Sequence, residues 1–107
     1  FSAFFDPDSE LSPLTKDFVQ KYRDNNNGKD PSSETALGYD AYNLICDAIE
    51  KANSTDPVAV RDAIAASDFV GVTGPVKFDE NGDPTKAAVI KKVENGKFVY
   101  ADEITAE

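Results

Sequence analysis

Residues 34–52 form the longest uninterrupted helical pattern in the sequence, and this pattern limits the fold more than any other feature does. Apolar side chains recur along it three or four positions apart, which is the spacing of one helical face. They lie at positions 37, 41, 44, 45, 48, 49 and 52. Tyr39, Tyr42 and Cys46 widen this face, so we expect the helix to be buried on more than one side.

A capping side chain followed by proline marks the start of three predicted helices. The dipeptides are Ser12-Pro13, Asp30-Pro31 and Asp56-Pro57. The second helix is expected over about residues 32–52. Asparagine and glycine accept the left-handed conformation at a helix end, so residues 25–28 are expected to end the first helix. Residues 53–54 are expected to end the second.

After Asp68 the periodicity becomes that of strands. Val76 and Phe78 alternate with Lys77, as in a half-buried strand. Local rules alone predict a three-stranded meander over residues 74–101, with turns at 79–84 and 94–97. In the first of these turns, Asn81 and Gly82 suit positive φ at both central positions.

The charge balance argues against polyanionic partners. Eleven lysines and arginines face twenty aspartates and glutamates, for a formal net charge of −9 at pH 7. Such a chain repels phosphate backbones and anionic membrane surfaces, so nucleic-acid binding is not expected. The sequence has no histidine, which removes histidine-based catalysis and most zinc sites. The single cysteine, Cys46, cannot form an internal disulfide and is expected to be a small buried hydrophobe.

Two acidic features could carry a site. Asp79, Asn81 and Asp83 resemble the start of a calcium loop, but Pro84 and Ile90 occupy positions that should be glycine and glutamate. We therefore interpret them as turn residues and expect no metal or cofactor. Glu34 lies in the first turn of the central helix. A carboxylate there gains from the helix dipole, or it faces a ligand beside free backbone N–H groups.

The beginning of the chain is unlike a natural terminus. It has no initiator methionine and no signal peptide, and residues 1–5 open inside an apolar run, as if a strand had been cut. We expect a fragment of a longer protein, with at most one small domain in its 107 residues.

Several segments, in order, resemble the C-terminal third of the branched-chain amino-acid-type substrate-binding proteins. These proteins serve ABC transporters and have the type I periplasmic-binding-protein fold. The matching segments are 18–22 with 28–31, 36–41 with 47–49, 71–74 with 78–83, and 89–100. Each motif alone is common, so the resemblance rests on their order and spacing over nearly the whole chain.

The resemblance implies an α/β fold, namely a fragment of a two-lobed structure in which three helices precede strands and a C-terminal β-hairpin. Residues 1–3 would be a hinge or strand end, and residues 4–83 part of the N-terminal lobe. Residues 84–86 would cross between lobes, and 87–107 would form the hairpin of the second lobe and a tail. Ala3, Pro84 and Thr85 are the hinge residues that this division implies.

The same resemblance implies the capture of a small metabolite, an amino acid or a related polar compound, for import through an ABC transporter permease. The protein would work outside the cytoplasm, in the periplasm or anchored on the cell surface. Glu34 stands where the family commonly places an aromatic side chain against the ligand, which favours a polar ligand over a purely aliphatic one. Two alternatives stay open: a ligand-sensing domain of the same fold in a receptor or regulator, and a small acid–base enzyme.

As an isolated piece, the chain is expected to bind ligands weakly or not at all. Its strands lack partners, so we expect it to self-associate, for example by exchange of the C-terminal hairpin.

Overall fold

A computed structural model describes residues 1–105, in which one short strand is followed by three helices and then by five strands. The helices are α1 (Thr15–Asn25), α2 (Ser33–Ala52) and α3 (Pro57–Ala65). The strands are β1 (Ser2–Ala3), β2 (Phe69–Gly71), β3 (Gly74–Phe78), β4 (Pro84–Thr85), β5 (Ala88–Glu94) and β6 (Lys97–Ile104). This order confirms the expected α/β class with a C-terminal hairpin. The predicted tail at residues 106–107 lies outside the described residues.

The strands form two separate antiparallel sheets. One has the order β1-β5-β6, with Ala3 opposite Val89, and the other has the order β2-β3-β4, with Phe69 opposite Val76. The three-stranded meander that local rules predict is therefore wrong. The strands of residues 74–85 pair with β2, while β5 and β6 pair with the beginning of the chain. Between the two sheets the chain runs through Lys86 and Ala87.

The turn chemistry was predicted well at one hairpin and only in part at the other. Asn95 and Gly96 have φ values of 50° and 73°, as a two-residue turn with a right-handed twist requires. In the turn after β3, Gly82 has a positive φ of 85°, but Asn81 does not. That turn is held instead by Asp79, whose carboxylate accepts from the Asn81 and Asp83 amides at 2.8 and 2.9 Å.

Two of the three predicted helix starts need correction. The N-cap of α2 is Ser32, whose hydroxyl accepts from the Thr35 amide, whereas Asp30 pairs with the Arg23 guanidinium instead. The first helix begins at Thr15 rather than at Ser12-Pro13, because these two residues form a separate turn before it. The third start is confirmed.

In α3 the carboxylate of Asp56 accepts from the Val58 and Ala59 amides, and Pro57 is the first helical residue. The end of α2 is also confirmed, since Asn53 adopts the left-handed conformation at φ 47°.

The core lies on one side of α2. Phe5, Val19, Ala36 and Val72 are buried together, with Phe18 packed against them. The buried residues of α2 are Ala36, Asp40 and Ala48. The expectation of burial on several sides is wrong: Tyr42 is 69% exposed, and Cys46 is exposed rather than buried. Within residues 1–105, α3, β2 and side chains of α1 pack on α2, and the face that carries Tyr42 and Cys46 is left uncovered.

No helix within residues 1–105 is both long and apolar enough to cross a membrane.

Candidate functional site

The first turn of α2 faces β1 and β5 across a cleft of about 540 Å³. We call this space the Glu34 cleft. Its walls come from three parts of the chain: the first residues, the start of α2 and strand β5. The lining residues are Phe1, Ser2, Ala3, Phe4, Ser32, Ser33, Glu34, Leu37, Ala88 and Lys91. The cleft therefore lies between the helical part of the chain and the β1-β5-β6 sheet.

Glu34 is exposed at the helical end of this cleft. Hydrogen bonds from its own backbone amide and from the Ser32 side chain hold the pKa of the Glu34 carboxyl below its usual value. The carboxylate is thus kept charged at the N-terminus of α2, where the helix dipole also favours a negative charge. It is available to accept hydrogen bonds from an ammonium or a hydroxyl group of a ligand.

Lys91 supplies the cation on the opposite wall. Its ammonium lies 2.7 Å from the Asp6 carboxylate, and the lysine and aspartate side chains are only 17% and 7% exposed. Asp6 also accepts from the Asp8 amide at 2.9 Å. Because the lysine charge is already neutralised by a close partner, Glu34 is the charged side chain of the lining without an ion pair among residues 1–105.

The rest of the wall is mainly apolar, through Phe1, Phe4, Leu37 and alanine side chains. At the start of α2, the hydroxyl of Ser33 donates to the Phe5 carbonyl at 3.3 Å. Small-molecule sites commonly combine an apolar wall with a few convergent polar groups. This arrangement suits a small solute that carries an ammonium or hydroxyl group and an apolar portion.

The expected hinge residues occupy different places. Ala3 lies in β1 and lines the Glu34 cleft, opposite Val89. Pro84 and Thr85 form the short strand β4, where they pair with Phe78 and Lys77 and are exposed. Their role as hinges stays a prediction, as do the lobe boundaries.

The calcium-loop residues do not form a site. Asp79 satisfies the amides of its own turn, and hydrogen bonds from Asp83 and Asn81 lower the pKa of its carboxyl. Within residues 1–105, no group of three or more metal-ligating side chains lies together.

Sequence reasoning missed a buried polar cluster around Asp40. This carboxylate is 6% exposed and accepts from the Val72 amide at 2.7 Å, the Thr73 amide at 2.9 Å and the Thr73 hydroxyl at 2.6 Å. The Lys86 ammonium in turn donates to the Thr73 hydroxyl at 2.6 Å. Aspartate is a poor residue for a helix interior, and its place one turn after the buried Ala36 is the signal that could have revealed the cluster.

The comparisons with known proteins agree with this architecture. The sequence model of a family described as periplasmic binding protein matches residues 1–97. The Leu/Ile/Val-binding protein homolog 2 of Brucella abortus (strain 2308) is 32% identical over 101 residues, covering 90% of this chain and 27% of the relative.

Solved structures give the same result. This chain is similar to a leucine-binding protein, LivK, of Thermotoga maritima MSB8, with a TM-score of 0.87, 37% identity, and coverage of 98% of this chain and 30% of that chain. It is also similar to LivJ of Streptococcus pneumoniae, the substrate-binding protein of a branched-chain amino acid transporter, in complex with isoleucine. That match has a TM-score of 0.84 and 31% identity, and it covers 97% of this chain and 29% of the other.

The chain thus spans less than a third of the length of these relatives. The structural similarity extends over nearly all of this chain. This chain belongs to the periplasmic binding protein family, and its structure matches a fragment of the type I fold of the branched-chain amino-acid-type substrate-binding proteins.

Proposed function

We propose that this chain is part of an extracytoplasmic solute-binding protein that captures a small metabolite and delivers it to an ABC transporter permease. One observation carries the proposal: the Glu34 cleft lies between the N-terminus of α2 and the β1-β5-β6 sheet, and it is lined by both. A ligand held there contacts elements on either side of the space. Family membership supports transport over sensing or catalysis.

The ligand is an amino acid or a related polar compound. Glu34 is a charged acceptor at the cleft, and the neighbouring Ser32 and Ser33 add hydroxyl groups. A carboxylate at this place favours a ligand that offers an ammonium or hydroxyl group, since such a group compensates the desolvation of the charge. An amino acid with a purely aliphatic side chain, whose α-ammonium is bound elsewhere in the site, would leave the Glu34 carboxylate without a partner.

In the proposed function, the protein closes around the ligand by a hinge motion before it engages the permease. Ala3, just before one connection, and Pro84 and Thr85, just before the other, are the proposed hinge points. The ligand biases the population towards the closed form because that form contacts it from both sides, and the closed form then engages the permease. No bond is made or broken in this cycle.

Calorimetry of the complete gene product against leucine, threonine, glutamine and lysine tests the ligand class. We expect one of the polar amino acids to bind more tightly than leucine. The Glu34→Gln variant is expected to weaken that binding by about tenfold, which corresponds to ~1.4 kcal/mol. Glu50→Gln, at an exposed glutamate near the other end of α2, is the matched control. Tighter binding of leucine than of every polar ligand, unchanged by Glu34→Gln, would contradict the proposed ligand class.

The isolated 107-residue chain is expected to bind amino acids weakly and to self-associate. Several large apolar side chains are more than half exposed: Phe1 (71%), Tyr42 (69%), Val93 (65%), Phe98 (61%) and Ile104 (59%). Burying such surface against a second copy is favourable. Size-exclusion chromatography with light scattering checks this, and a stable monomer at micromolar concentration would contradict it. Micromolar affinity of the isolated chain for an amino acid would contradict the expectation of weak binding.

A further inference from the structure

The chain joins its helical part to the β1-β5-β6 sheet twice. The first connection follows Ala3, and the second is formed by Lys86 and Ala87, between the end of β4 and the start of β5. The direction of these two connections sets the position of the sheet relative to α2. It therefore also sets the width of the Glu34 cleft.

The first connection is held against the β1-β5-β6 sheet by contacts with β5 and with β6. Asp6, just beyond β1, pairs with Lys91 of β5 at 2.7 Å. Further along, the hydroxyl of Ser9 and the amide of Glu10 both donate to the Glu103 carboxylate of β6, at 2.7 and 2.8 Å. The loop after β1 is thus bound to the sheet in two places.

At the second connection, the part of the chain that the structure describes shows one side-chain contact of this kind, made by Lys86. Its ammonium donates to the Thr73 hydroxyl at 2.6 Å, and that hydroxyl donates to the Asp40 carboxylate at 2.6 Å. Asp40 belongs to α2 and also binds the backbone of the β2–β3 turn through the Val72 and Thr73 amides. A continuous chain of hydrogen bonds therefore runs from the connection to the same helix that carries Glu34.

These hydrogen bonds are buried, and their partners hold the Thr73 hydroxyl in one orientation. Asp40 and Thr73 are 6% and 2% exposed, and Lys86 is half-buried. A hydroxyl that accepts from an ammonium and donates to a carboxylate uses its proton and a lone pair in a single orientation. Burial lowers the pKa of Lys86, while the nearby Asp40 charge acts in the opposite direction. Both effects are those of an ammonium held inside the protein rather than in water.

We propose that Lys86 is a positioning residue, whose hydrogen bond to Thr73 fixes the direction of the second connection and thereby the orientation of the β1-β5-β6 sheet relative to α2. The residue does not touch the Glu34 cleft, so it acts on the cleft through the connection alone. This inference concerns the geometry of the chain and does not require the proposed function to be correct.

Distance measurement by double electron–electron resonance tests it in the 107-residue chain. One spin label is attached to Cys46, the single cysteine, which is exposed on α2. The second is attached through Lys97→Cys, at an exposed position where β6 begins. In this background Lys86→Met is expected to shift the mean distance between the labels, or to broaden its distribution, by several ångströms. Lys86→Arg is expected to give a distribution close to that of the unsubstituted chain. Dilution of the doubly labelled chain with an excess of unlabelled chain removes the distances between copies.

Lys77→Met is the matched control, because Lys77 is exposed and its contact with Asp68 at 3.4 Å lies on the surface. Circular dichroism is recorded for every variant. A folded Lys86→Met chain with the unchanged distance distribution overturns the proposal. Loss of helical signal in Lys86→Met also overturns it, because Lys86 would then support the fold as a whole rather than the orientation of one sheet. A shift in Lys86→Met that Lys77→Met does not reproduce supports it.

Discussion

Asp6 and Lys91 form the most buried ion pair among residues 1–105, with the carboxylate and ammonium 2.7 Å apart. The pair joins the loop after β1 to the middle of β5, residues that are far apart in sequence. Lys91 also lines the Glu34 cleft. The contact therefore connects the stability of the first connection with the shape of the candidate site.

Removing one partner of this pair is expected to destabilise the folded chain. Lys91→Met leaves the Asp6 carboxylate buried without its cation, and Asp6→Asn leaves the ammonium without its anion. Each substitution is expected to lower the free energy of unfolding by about 3 kcal/mol, because a buried charge loses its compensation. Urea unfolding followed by circular dichroism measures the change.

The double variant measures the interaction energy between Asp6 and Lys91, apart from the cost of changing each side chain alone. If the pair acts as a unit, Asp6→Asn combined with Lys91→Met costs clearly less than the sum of the two single changes. Lys77→Met, at the exposed pair with Asp68, is expected to change stability by less than about 1 kcal/mol. Equal effects of Lys91→Met and Lys77→Met would show that burial of the pair has no energetic consequence.

Gly71 and Gly38 are predicted to respond in opposite ways to alanine. A Cβ at Gly71 would overlap with the Asp40 carboxylate atoms, so Gly71→Ala must displace the buried acid from the β2–β3 turn. We expect a loss of about 2 kcal/mol or more, because the Val72 and Thr73 amides then lose a charged acceptor.

Gly38 lies within α2, and a Cβ there would meet nothing within 4 Å. Gly38→Ala is expected to stabilise the chain by about 0.5–1 kcal/mol through helix propensity. Both variants are compared by thermal and urea unfolding. A neutral Gly71→Ala would show that Asp40 does not hold the turn as the structure places it.

The parts of the fold that were predicted correctly depend on neighbouring residues. Asp56 and Pro57 determine the start of α3, and Asn95 with Gly96 determines a hairpin turn, without any contribution from distant chain. The division of strands into two sheets depends on the pairing of Ala3 with Val89. No local pattern contains a contact between residues so far apart, and only the family resemblance indicated that the chain changes sheets near residue 86.

The polar residues of the site region were likewise predicted only where a local pattern marks them. Glu34 was found because a carboxylate in a first helical turn has a local meaning. Asp40 was missed because its burial depends on the β2–β3 turn, more than thirty residues later, closing over it. The apolar face of α2 was predicted only in part, for a related reason: Ala48, which belongs to the predicted face, is buried, and so is Ala36, which does not. Ala36 and Ala48 are buried because the turn and α3 approach that side, while larger apolar side chains such as Ile45 face outwards.

Cys46 is predicted to react readily in the native chain. Its side chain is exposed on the uncovered face of α2, so Ellman's reagent should reach it without unfolding. We expect one thiol per chain to react in buffer at nearly the rate seen in urea, at protein concentrations low enough to limit self-association. A rate that falls as the protein concentration rises would place Cys46 in a contact between copies. Strong protection at every concentration would contradict the exposed position.

The ionisation of Glu34 gives a prediction about the start of α2. Its pKa in the folded chain lies below the ordinary glutamate value of about 4.3, because its own backbone amide and then Ser32 donate to the charged form. A depressed pKa in the folded state stabilises the fold above the unfolded pKa. That contribution is lost as the pH falls through the folded pKa.

Carbon-detected NMR titration of the Glu34 side chain measures this directly. Ser32→Gly removes the hydroxyl and is expected to move the Glu34 pKa part of the way back to its usual value. Glycine is chosen because it costs a helix N-cap only a few tenths of a kcal/mol, so the helix start is kept. Ser54→Gly removes a hydroxyl that binds the Asp56 amide at the start of α3, and it should leave the Glu34 pKa unchanged. A Glu34 pKa at or above its ordinary value in the unsubstituted chain would mean that the carboxylate is not held against the helix start. The charge proposed to meet a ligand ammonium or hydroxyl would then not be fixed in the cleft.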